Sequence, residues 1–275
     1  MNYYRPGGFS LLPTIIKNLL IINALFFLAT ISLKQAIGFD LEEYLALYYF
    51  DSPNFKPYQF ISYMFMHGGI SHIFFNMFAL WMFGKVLEEV WGPKKFLIYY
   101  LVTGVGAAVV HTFVNWWTMS SMMTDFAAIQ NTPSPDLILK FVQDHLSNAN
   151  PKIYDFINQW SLTPNDPAYI NDAMSICTRI IDMKMNIPTV GASGAVYGVL
   201  LAFGMMFPNS LIYVFFAIPI KAKFFVIIYG AMELWTGIMN DPTDNVAHFA
   251  HLGGMLFGFI LIKLWKKNDI NRFEM

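Results

Sequence analysis

The sequence is short of cysteine and of charged side chains. A single cysteine, Cys177, excludes an internal disulfide, so no disulfide framework holds this chain together. Charged residues are 13% of the 275 residues, whereas an average soluble domain carries about 25%. The formal net charge of −1 lacks the positive excess that nucleic-acid binding requires. A disulfide-stapled domain and a nucleic-acid-binding protein are therefore both disfavoured.

Apolar residues are abundant and are gathered into long runs. They make up 56% of the chain, with 27 phenylalanines. A helix that spans a bilayer needs about 20 predominantly apolar residues. The sequence therefore predicts an all-α membrane protein of six transmembrane helices, the fourth and fifth of them short. The six runs are Leu11–Ile37, Ile70–Val90, Phe96–Trp117, Gly191–Phe207, Phe224–Met239 and Val246–Trp265.

The distribution of basic residues predicts the orientation in the membrane. Six spans place both termini on one side, and basic residues favour the cytoplasmic side. The first run lacks the features of a cleaved signal, so we interpret it as a retained helix. With the N-terminus inside, eleven basic residues face the cytoplasm and six face outward. The inner set is Arg5, Lys17, Lys85, Lys94, Lys95, Lys221, Lys223, Lys263, Lys266, Lys267 and Arg272.

Three segments between the spans need separate interpretation. The aromatic stretch Gly38–Met66 is expected to rest in the outer membrane interface. The polar segment Thr118–Pro188 is expected to be partly helical, with Ser134 as an N-cap before Pro135 and a second amphipathic helix over Ala168–Met185. Leu211–Ile220 is too short to span and is expected to lie along one membrane face.

Polar side chains on three of the predicted helices share one depth. At a rise of about 1.5 Å per residue, Asn76, Ser193 and His251 each lie about 20 Å from the inner boundary. His72 lies one helical turn above Asn76 on the same face, and His67 lies higher still. Polar side chains inside a span are costly and are therefore candidates for function.

The surroundings of Ser193 and His251 suit acyl transfer. Ser193 follows Pro188 and a run of small residues, which predicts a loop ending in the first turn of a helix whose free N–H groups can hold an oxyanion. A neutral histidine can take the proton of a serine hydroxyl. Glycine pairs on the two helices allow close approach. Because no carboxylate lies at this depth on the sixth helix, we expect a dyad without an acidic partner.

Other interpretations of the same residues exist. Glycines spaced by four in a span serve helix packing in most cases. Intramembrane histidines also occur in proton relays and as metal ligands. The metal hypothesis would use His67, His72, His248 and His251, but the sequence has no HExxH pair and Cys177 is distant in sequence.

Four motifs together resemble the rhomboid family of intramembrane serine proteases. The resemblance begins near Tyr58 and covers the second to sixth predicted helices, leaving the polar segment unmatched. The motifs are HxxxxHxxxN at His67, His72 and Asn76, GASG at Gly191–Gly194, AHxxGxxxG at Ala250, His251, Gly254 and Gly258, and Glu88 twelve residues after Asn76.

The resemblance implies a role for each matching residue. Ser193 would be the nucleophile and His251 the base, since His251 rather than His248 has glycines three and seven residues later. The oxyanion hole would comprise the Ser193 N–H, His72 and Asn76. Further residues are expected to line the cavity (Tyr197, His67, Gly191, Gly194 and His248) or to be structural (Glu88, Gly198, Gly254 and Gly258).

The resemblance also implies an activity and an architecture. The expected fold is a six-helix bundle with a short central helix that carries the nucleophile. Substrates would be single-span membrane proteins cut near their outer end, with no metal or organic cofactor. Segments 38–117 and 189–266 would form the rhomboid core, around the insertion 118–188. We place the protein in a bacterial cytoplasmic membrane, with its site open to the outer side.

Two features leave alternatives open. Many family members carry Trp-Arg in the first outer loop, where this chain has Tyr58 and Gln59, so the packing of that loop is open. A non-catalytic rhomboid-like protein that binds membrane clients is the competing hypothesis. Such relatives usually lack the serine or the histidine, and this chain has both. The insertion is either a solvated addition or a cap that recruits or gates substrate.

Overall fold

The computed structural model describes residues 12–146, 148–214, 217–239 and 246–273, with side chains described as far as Lys266. Leu11, where the first span was predicted to begin, and Arg5 lie outside these residues, as do the side chains of Lys267 and Arg272.

The described chain is mostly helical. Each of the six predicted spans falls on a helix, and the second span falls on two helices that are joined by a π-helical turn, Leu80–Gly84. The helices are α1 Thr14–Ile37, α2 Leu41–Leu45, α3 Gln59–Ser62, α4 Ile70–Ala79, α5 Lys85–Trp91, α6 Pro93–Asn131, α7 Pro135–His145, α8 Pro151–Trp160, α9 Pro167–Met185, α10 Ser193–Met206, α11 Ala222–Met239 and α12 His248–Phe273.

Among the described residues, five helical stretches are long and apolar enough to cross a membrane. They are α1, the continuous α4–α5 helix, α6, α11 and α12. The 14-residue α10 is apolar but reaches only roughly 21 Å at 1.5 Å per residue. The all-α membrane fold with a short central helix is confirmed, whereas the count of six spans stays a prediction.

Helix α10 forms the centre of the bundle, packed against α6 and α12. Small residues make this position possible. A Cβ on Gly198 would lie 2.7 Å from the Cβ of Thr103 on α6, and the carbonyl of Gly198 accepts a hydrogen bond of 2.8 Å from the Tyr99 hydroxyl. The outer faces of the long helices expose large apolar side chains such as Leu25, Phe74 and Trp235. Such a surface suits contact with lipid.

Glu88 attaches α1 to the bundle. Its carboxylate accepts hydrogen bonds of 2.9 Å from the backbone N–H groups of Ile15 and Ile16, and the residue is 4% exposed. The first N–H groups of a helix lack intrahelical acceptors and form its positive end. Glu88 therefore satisfies two of these donors with a complementary charge.

The outer loop between α1 and α4 is ordered around Gln59. This fully buried side chain donates to the carbonyls of Tyr44 and Asn54 and accepts from the N–H of Lys56. Tyr63 then links the loop to α6 by donating 2.7 Å to the carbonyl of Gly104. A neutral amide thus holds together the loop whose packing the sequence left open.

Helix α6 is much longer than predicted. It continues past Trp117, the predicted end, as far as Asn131, so it is roughly 58 Å long at 1.5 Å per residue. Since a bilayer core is about 30 Å thick, α6 extends well beyond it. The added segment 118–131 contains no glycine or proline that would stop a helix.

The insertion forms a small helical unit on this extension, which we call the cap and define as α7–α9. The predicted cap of α7 is present, since the Ser134 hydroxyl accepts from the N–H of Leu137. The predicted second helix corresponds to α9, and α8 was not predicted. The cap has a hydrophobic core separate from that of the bundle, to which residues of α6 also contribute. Buried in this core are Trp160, Phe141 and Cys177.

Two connections join the end of the cap to the outer loop. Leu47 and Thr189 pair as an antiparallel bridge with reciprocal backbone hydrogen bonds of 2.9 and 2.8 Å. The Ser52 hydroxyl donates to the side-chain oxygen of Asn186. After the C-terminal end of α10, the segment predicted to lie along a membrane face forms an antiparallel hairpin of strands β1 Leu211–Val214 and β2 Ile218–Lys221.

Candidate active site

Ser193 lies at the first position of α10, where the sequence analysis placed it. The preceding loop reaches this point through Gly191, whose φ of +124° is rare for other residues. Its N–H donates to the carbonyl of Tyr63 at 2.9 Å. A Cβ on Gly191 would lie 2.7 Å from Nε2 of His72. Glycine here therefore permits both the turn and the approach of the histidine ring.

Ser193 and His251 are in hydrogen-bond contact. Nε2 of His251 lies 2.8 Å from Oγ of Ser193, and His251 is 7% exposed. The helices that carry them touch through glycine, since a Cβ on Gly254 would overlap the carbonyl oxygen of Gly194. The expected close approach of the two helices is observed at Gly194 and Gly254, whereas Gly198 and Gly258 face Thr103 and Tyr99 of α6.

The ring of Tyr197 stacks on the imidazole of His251. Their centroids are 4.2 Å apart and their planes differ by 7°. Tyr197 lies one turn after Ser193 on α10, so the nucleophile and the stacking ring come from one rigid element. The other end of this side chain, the hydroxyl, donates a hydrogen bond to the carboxylate of Glu233.

Glu233 on α11 is the residue that the sequence analysis missed. Its Oε2 lies 2.9 Å from Nδ1 of His251 and 2.6 Å from Nδ1 of His248. The expectation of a dyad without an acidic partner is therefore wrong for this structure. The histidine helix itself has no carboxylate at this depth, and the carboxylate comes from the neighbouring helix. An acidic residue inside an apolar span was the available signal.

His248 contacts the same carboxylate and was expected to line the cavity. It lies one turn before His251, and its Nδ1 is also 3.0 Å from the hydroxyl of Thr236 on α11. The two histidines therefore meet one carboxylate oxygen from successive turns of α12.

Of the side chains expected at the oxyanion hole, His72 lies near Ser193, since a Cβ on Gly191 would approach both side chains. His72 faces Gly191, and its ring packs against His67 with centroids 5.1 Å apart. Asn76 is buried and its amide donates to the carbonyl of His72 at 2.9 Å. Burial, with His72 nearby, lowers the pKa of His67 to about 4, so His67 is neutral near pH 7.

A further histidine supports the loop that precedes Ser193. Nε2 of His111 on α6 lies 2.9 Å from the hydroxyl of Thr189 and 3.1 Å from the amide of Asn115. Thr189 is also the residue that pairs with Leu47. The loop is therefore held from two directions before it enters α10, which the sequence motifs did not indicate.

The metal hypothesis takes a different form in the structure. Within the described residues, ligand atoms of Glu233, His248 and His251 lie within 4.8 Å of one another. His67 and His72, which the hypothesis included, are not in that group. The same nitrogen atoms of His248 and His251 make the hydrogen bonds to the carboxylate of Glu233.

Comparison with known proteins gives a consistent family assignment. The rhomboid domain matches residues 54–123 and 170–267, more than half of the chain. The unmatched residues 124–169 contain α7 and α8, so the gap is narrower than the predicted 118–188.

Three relatives illustrate the similarity. An uncharacterized mitochondrial rhomboid protein of Schizosaccharomyces pombe is 27% identical over 75% of this chain and 51% of its own length. The mitochondrial RHOMBOID-like protein 12 of Arabidopsis thaliana is 24% identical over 80% of this chain and 50% of its own. Rhomboid protease GluP of Bacillus subtilis is 39% identical over 16% of this chain and 9% of its own. The chain thus spans about half the length of the two relatives that it matches broadly. On the family match, this chain belongs to the rhomboid family.

Proposed function

We propose that the protein is an intramembrane serine endopeptidase. The observation that carries the proposal is the 2.8 Å contact between Oγ of Ser193 and Nε2 of His251 inside an apolar helical bundle. A serine hydroxyl is a poor nucleophile unless a neighbouring base takes its proton. Membership of the rhomboid family and the similarity to a protein named a rhomboid protease support the same activity.

The proposed hydrolysis has two stages, the acylation of Ser193 and the hydrolysis of the acyl-serine. Oγ of Ser193 attacks the scissile carbonyl carbon while Nε2 of His251 accepts the hydroxyl proton, and the carbonyl electrons form an oxyanion. Collapse of this intermediate expels the amine, which takes the proton from His251, and leaves an acyl-serine. Water then attacks the carbonyl carbon of the acyl-serine while His251 accepts a proton from the water. Collapse of this second intermediate returns the proton to Oγ of Ser193 and releases the carboxylic acid.

The developing oxyanion has donors on one side of Ser193. The N–H of Ser193 lies in the first turn of α10, where N–H groups have no intrahelical acceptor. His72 is adjacent across Gly191. The Asn76 amide, bonded to the carbonyl of His72 in this structure, joins them when it turns toward the substrate. One such donor typically contributes about 3–4 kcal/mol in the transition state.

The substrates proposed are single-span membrane proteins that approach through the bilayer. An apolar outer surface on the bundle favours partners that share the membrane. The bacterial cytoplasmic membrane stays a prediction, because the relatives carry mitochondrial names as well as one from Bacillus subtilis.

The test is cleavage of single-span substrates by purified protein in liposomes. Wild type should cleave at least one member of a substrate panel, and Ser193→Ala should abolish cleavage. Ser175→Ala is the matched control, since Ser175 is an exposed residue of the cap and bonds only a carbonyl of its own helix among the contacts described. Equal cleavage by Ser193→Ala would overturn the assigned nucleophile.

Labelling with a fluorophosphonate separates the protease from the competing hypothesis. The probe reacts with an activated serine without requiring the correct substrate. Labelling of wild type but not of Ser193→Ala supports the protease. Complete absence of labelling across pH 5–9 would favour a rhomboid-like protein that binds membrane clients without cutting them.

A further inference from the structure

Glu233 is the single acidic residue of the apolar helix α11. A carboxylate inside a span is expensive unless it is paired or hydrogen-bonded. Its residue exposure is 8%, so water contributes little to its solvation. The energetic cost of placing a carboxylate in this span makes Glu233 a candidate functional residue.

Three hydrogen-bond donors surround this carboxylate. Tyr197 donates to Oε1, and the Nδ1 atoms of His251 and His248 approach Oε2. The donors come from α10 and α12, so the carboxylate joins three helices at one point. Of these donors, His251 also touches the nucleophile, and Tyr197 stacks on the ring of His251.

We propose that Glu233 is a positioning residue that completes a Ser193–His251–Glu233 relay. This inference rests on the proposed protease function and extends it. A hydrogen bond from Nδ1 to the carboxylate places the ring proton on Nδ1 and leaves the Nε2 lone pair directed at Oγ of Ser193. The carboxylate also stabilises the imidazolium that forms when the serine proton is transferred.

Tyr197 and His248 hold the carboxylate in place. Both oxygens of Glu233 are occupied, one by the tyrosine and the other by the two histidines. Since each partner belongs to a helix in the bundle, the carboxylate has little freedom to turn away from His251. Tyr197 and His248 thus hold the carboxylate of Glu233 in place, and that carboxylate holds the ring of His251.

Titratable groups other than Glu233 also lie around His251. His72 on α4 and His111 on α6 are near enough to interact electrostatically with it. Tyr197 on α10 and His248 on α12 are the remaining neighbours. Among these described groups, Glu233 is the acidic one that contacts the ring and can offset its positive charge.

The experiment compares wild type with Glu233→Gln and Glu233→Asp in liposomes. Cleavage is followed across pH 5–9 to give kcat and KM, and the rate of fluorophosphonate labelling of Ser193 is measured in parallel. Glu233→Gln keeps the size of the side chain but removes its charge. We expect kcat and the labelling rate to fall by about 10²-fold, with KM changed by no more than about twofold.

The pH profile distinguishes positioning from mere packing. Glu233→Gln removes the negative charge that stabilises the imidazolium formed during proton transfer. The acid limb of both profiles should therefore shift to lower pH in Glu233→Gln, by about one unit or more. Glu233→Asp retains the charge and should recover part of the rate and of the profile.

Glu88→Gln is the matched control. Glu88 is also a buried glutamate that accepts two hydrogen bonds, but it caps α1 and does not contact the site. Its replacement should lower thermal stability and leave the shape of the pH profile unchanged.

If wild type neither cleaves nor labels, the proposed function fails. If wild type labels and Glu233→Gln reproduces its rate and profile, the function stands and the role of Glu233 is overturned. Should Glu233→Gln not fold, Glu233→Asp decides in its place, because a merely structural glutamate predicts an unshifted profile there.

Discussion

Gly194 on α10 and Gly254 on α12 are in direct backbone contact. A Cβ on Gly254 would overlap the carbonyl oxygen of Gly194. The carbonyl belongs to the residue after the nucleophile, and Gly254 lies one turn after the base. The separation of Ser193 and His251 therefore depends on the absence of a side chain at Gly254.

Replacement of Gly254 by alanine should separate the two helices and reduce cleavage. A misplacement of about 1 Å at reacting atoms can cost on the order of 10²-fold in rate. We expect a loss of that order in kcat for Gly254→Ala, measured on a single-span substrate. Gly230→Ala is the control, because a Cβ there would meet the flexible end of Met255 at 3.1 Å. Equal loss in both variants would contradict the specific role of the Gly194–Gly254 contact.

Replacement of Glu88 should destabilise the protein through α1. Glu88→Ala leaves the N–H groups of Ile15 and Ile16 without their acceptor. A buried polar group that loses its partner costs about 1–3 kcal/mol. Thermal unfolding in detergent should show a lower midpoint for Glu88→Ala than for Glu89→Ala, the same change at the adjacent position. An unchanged midpoint would show that Glu88 does not stabilise the start of α1.

Depth and spacing indicated Ser193, His251 and the expected oxyanion donors, and the resemblance to the rhomboid family distinguished His251 from His248. These properties are local, since each residue is placed by its own helix. Glu233 was missed because its relation to His251 exists only after α11 packs beside α12. Likewise, the Asn76 amide was expected to face the site, but its bond to the carbonyl of His72 depends on a side-chain torsion.

The cap was predicted in part for a similar reason. Ser134 before Pro135 was recognised as a helix start, and the same kind of signal is present at Asn150–Pro151 and Asp166–Pro167. Both Asn150 and Asp166 accept a hydrogen bond from the N–H two residues later. The long extension of α6 was not predicted, because its stability comes from packing against cap residues that are distant in sequence.

The cap's packing can be tested through Cys177, the one thiol of the chain. Burial raises the pKa of Cys177 to about 12, so very little thiolate exists at pH 8 in the folded cap. Maleimide should modify it slowly in mild detergent and rapidly in dodecyl sulfate. Rapid labelling of the folded protein would contradict the buried position.

Trp160→Ala should open the cap and accelerate the labelling of Cys177. Trp160 is fully buried in the same core, and removing such a side chain costs about 3–5 kcal/mol. Trp117→Ala is the control, since Trp117 is 69% exposed on α6. Equal labelling rates in the two variants would show that Cys177 does not depend on this core.

His67 should make the stability of the protein fall in mild acid. Burial lowers its folded pKa from 6.5 to about 4, so between these values the unfolded state binds more protons than the folded state. Stability is therefore complete above pH 6.5 and is lost as the pH falls toward 4, by roughly 3 kcal/mol at 1.36 kcal/mol per unit. Thermal midpoints of wild type and His67→Gln, measured from pH 4 to 7, should converge or cross at low pH because glutamine carries no such penalty. Parallel curves over the whole range would show that His67 is not held neutral by its surroundings.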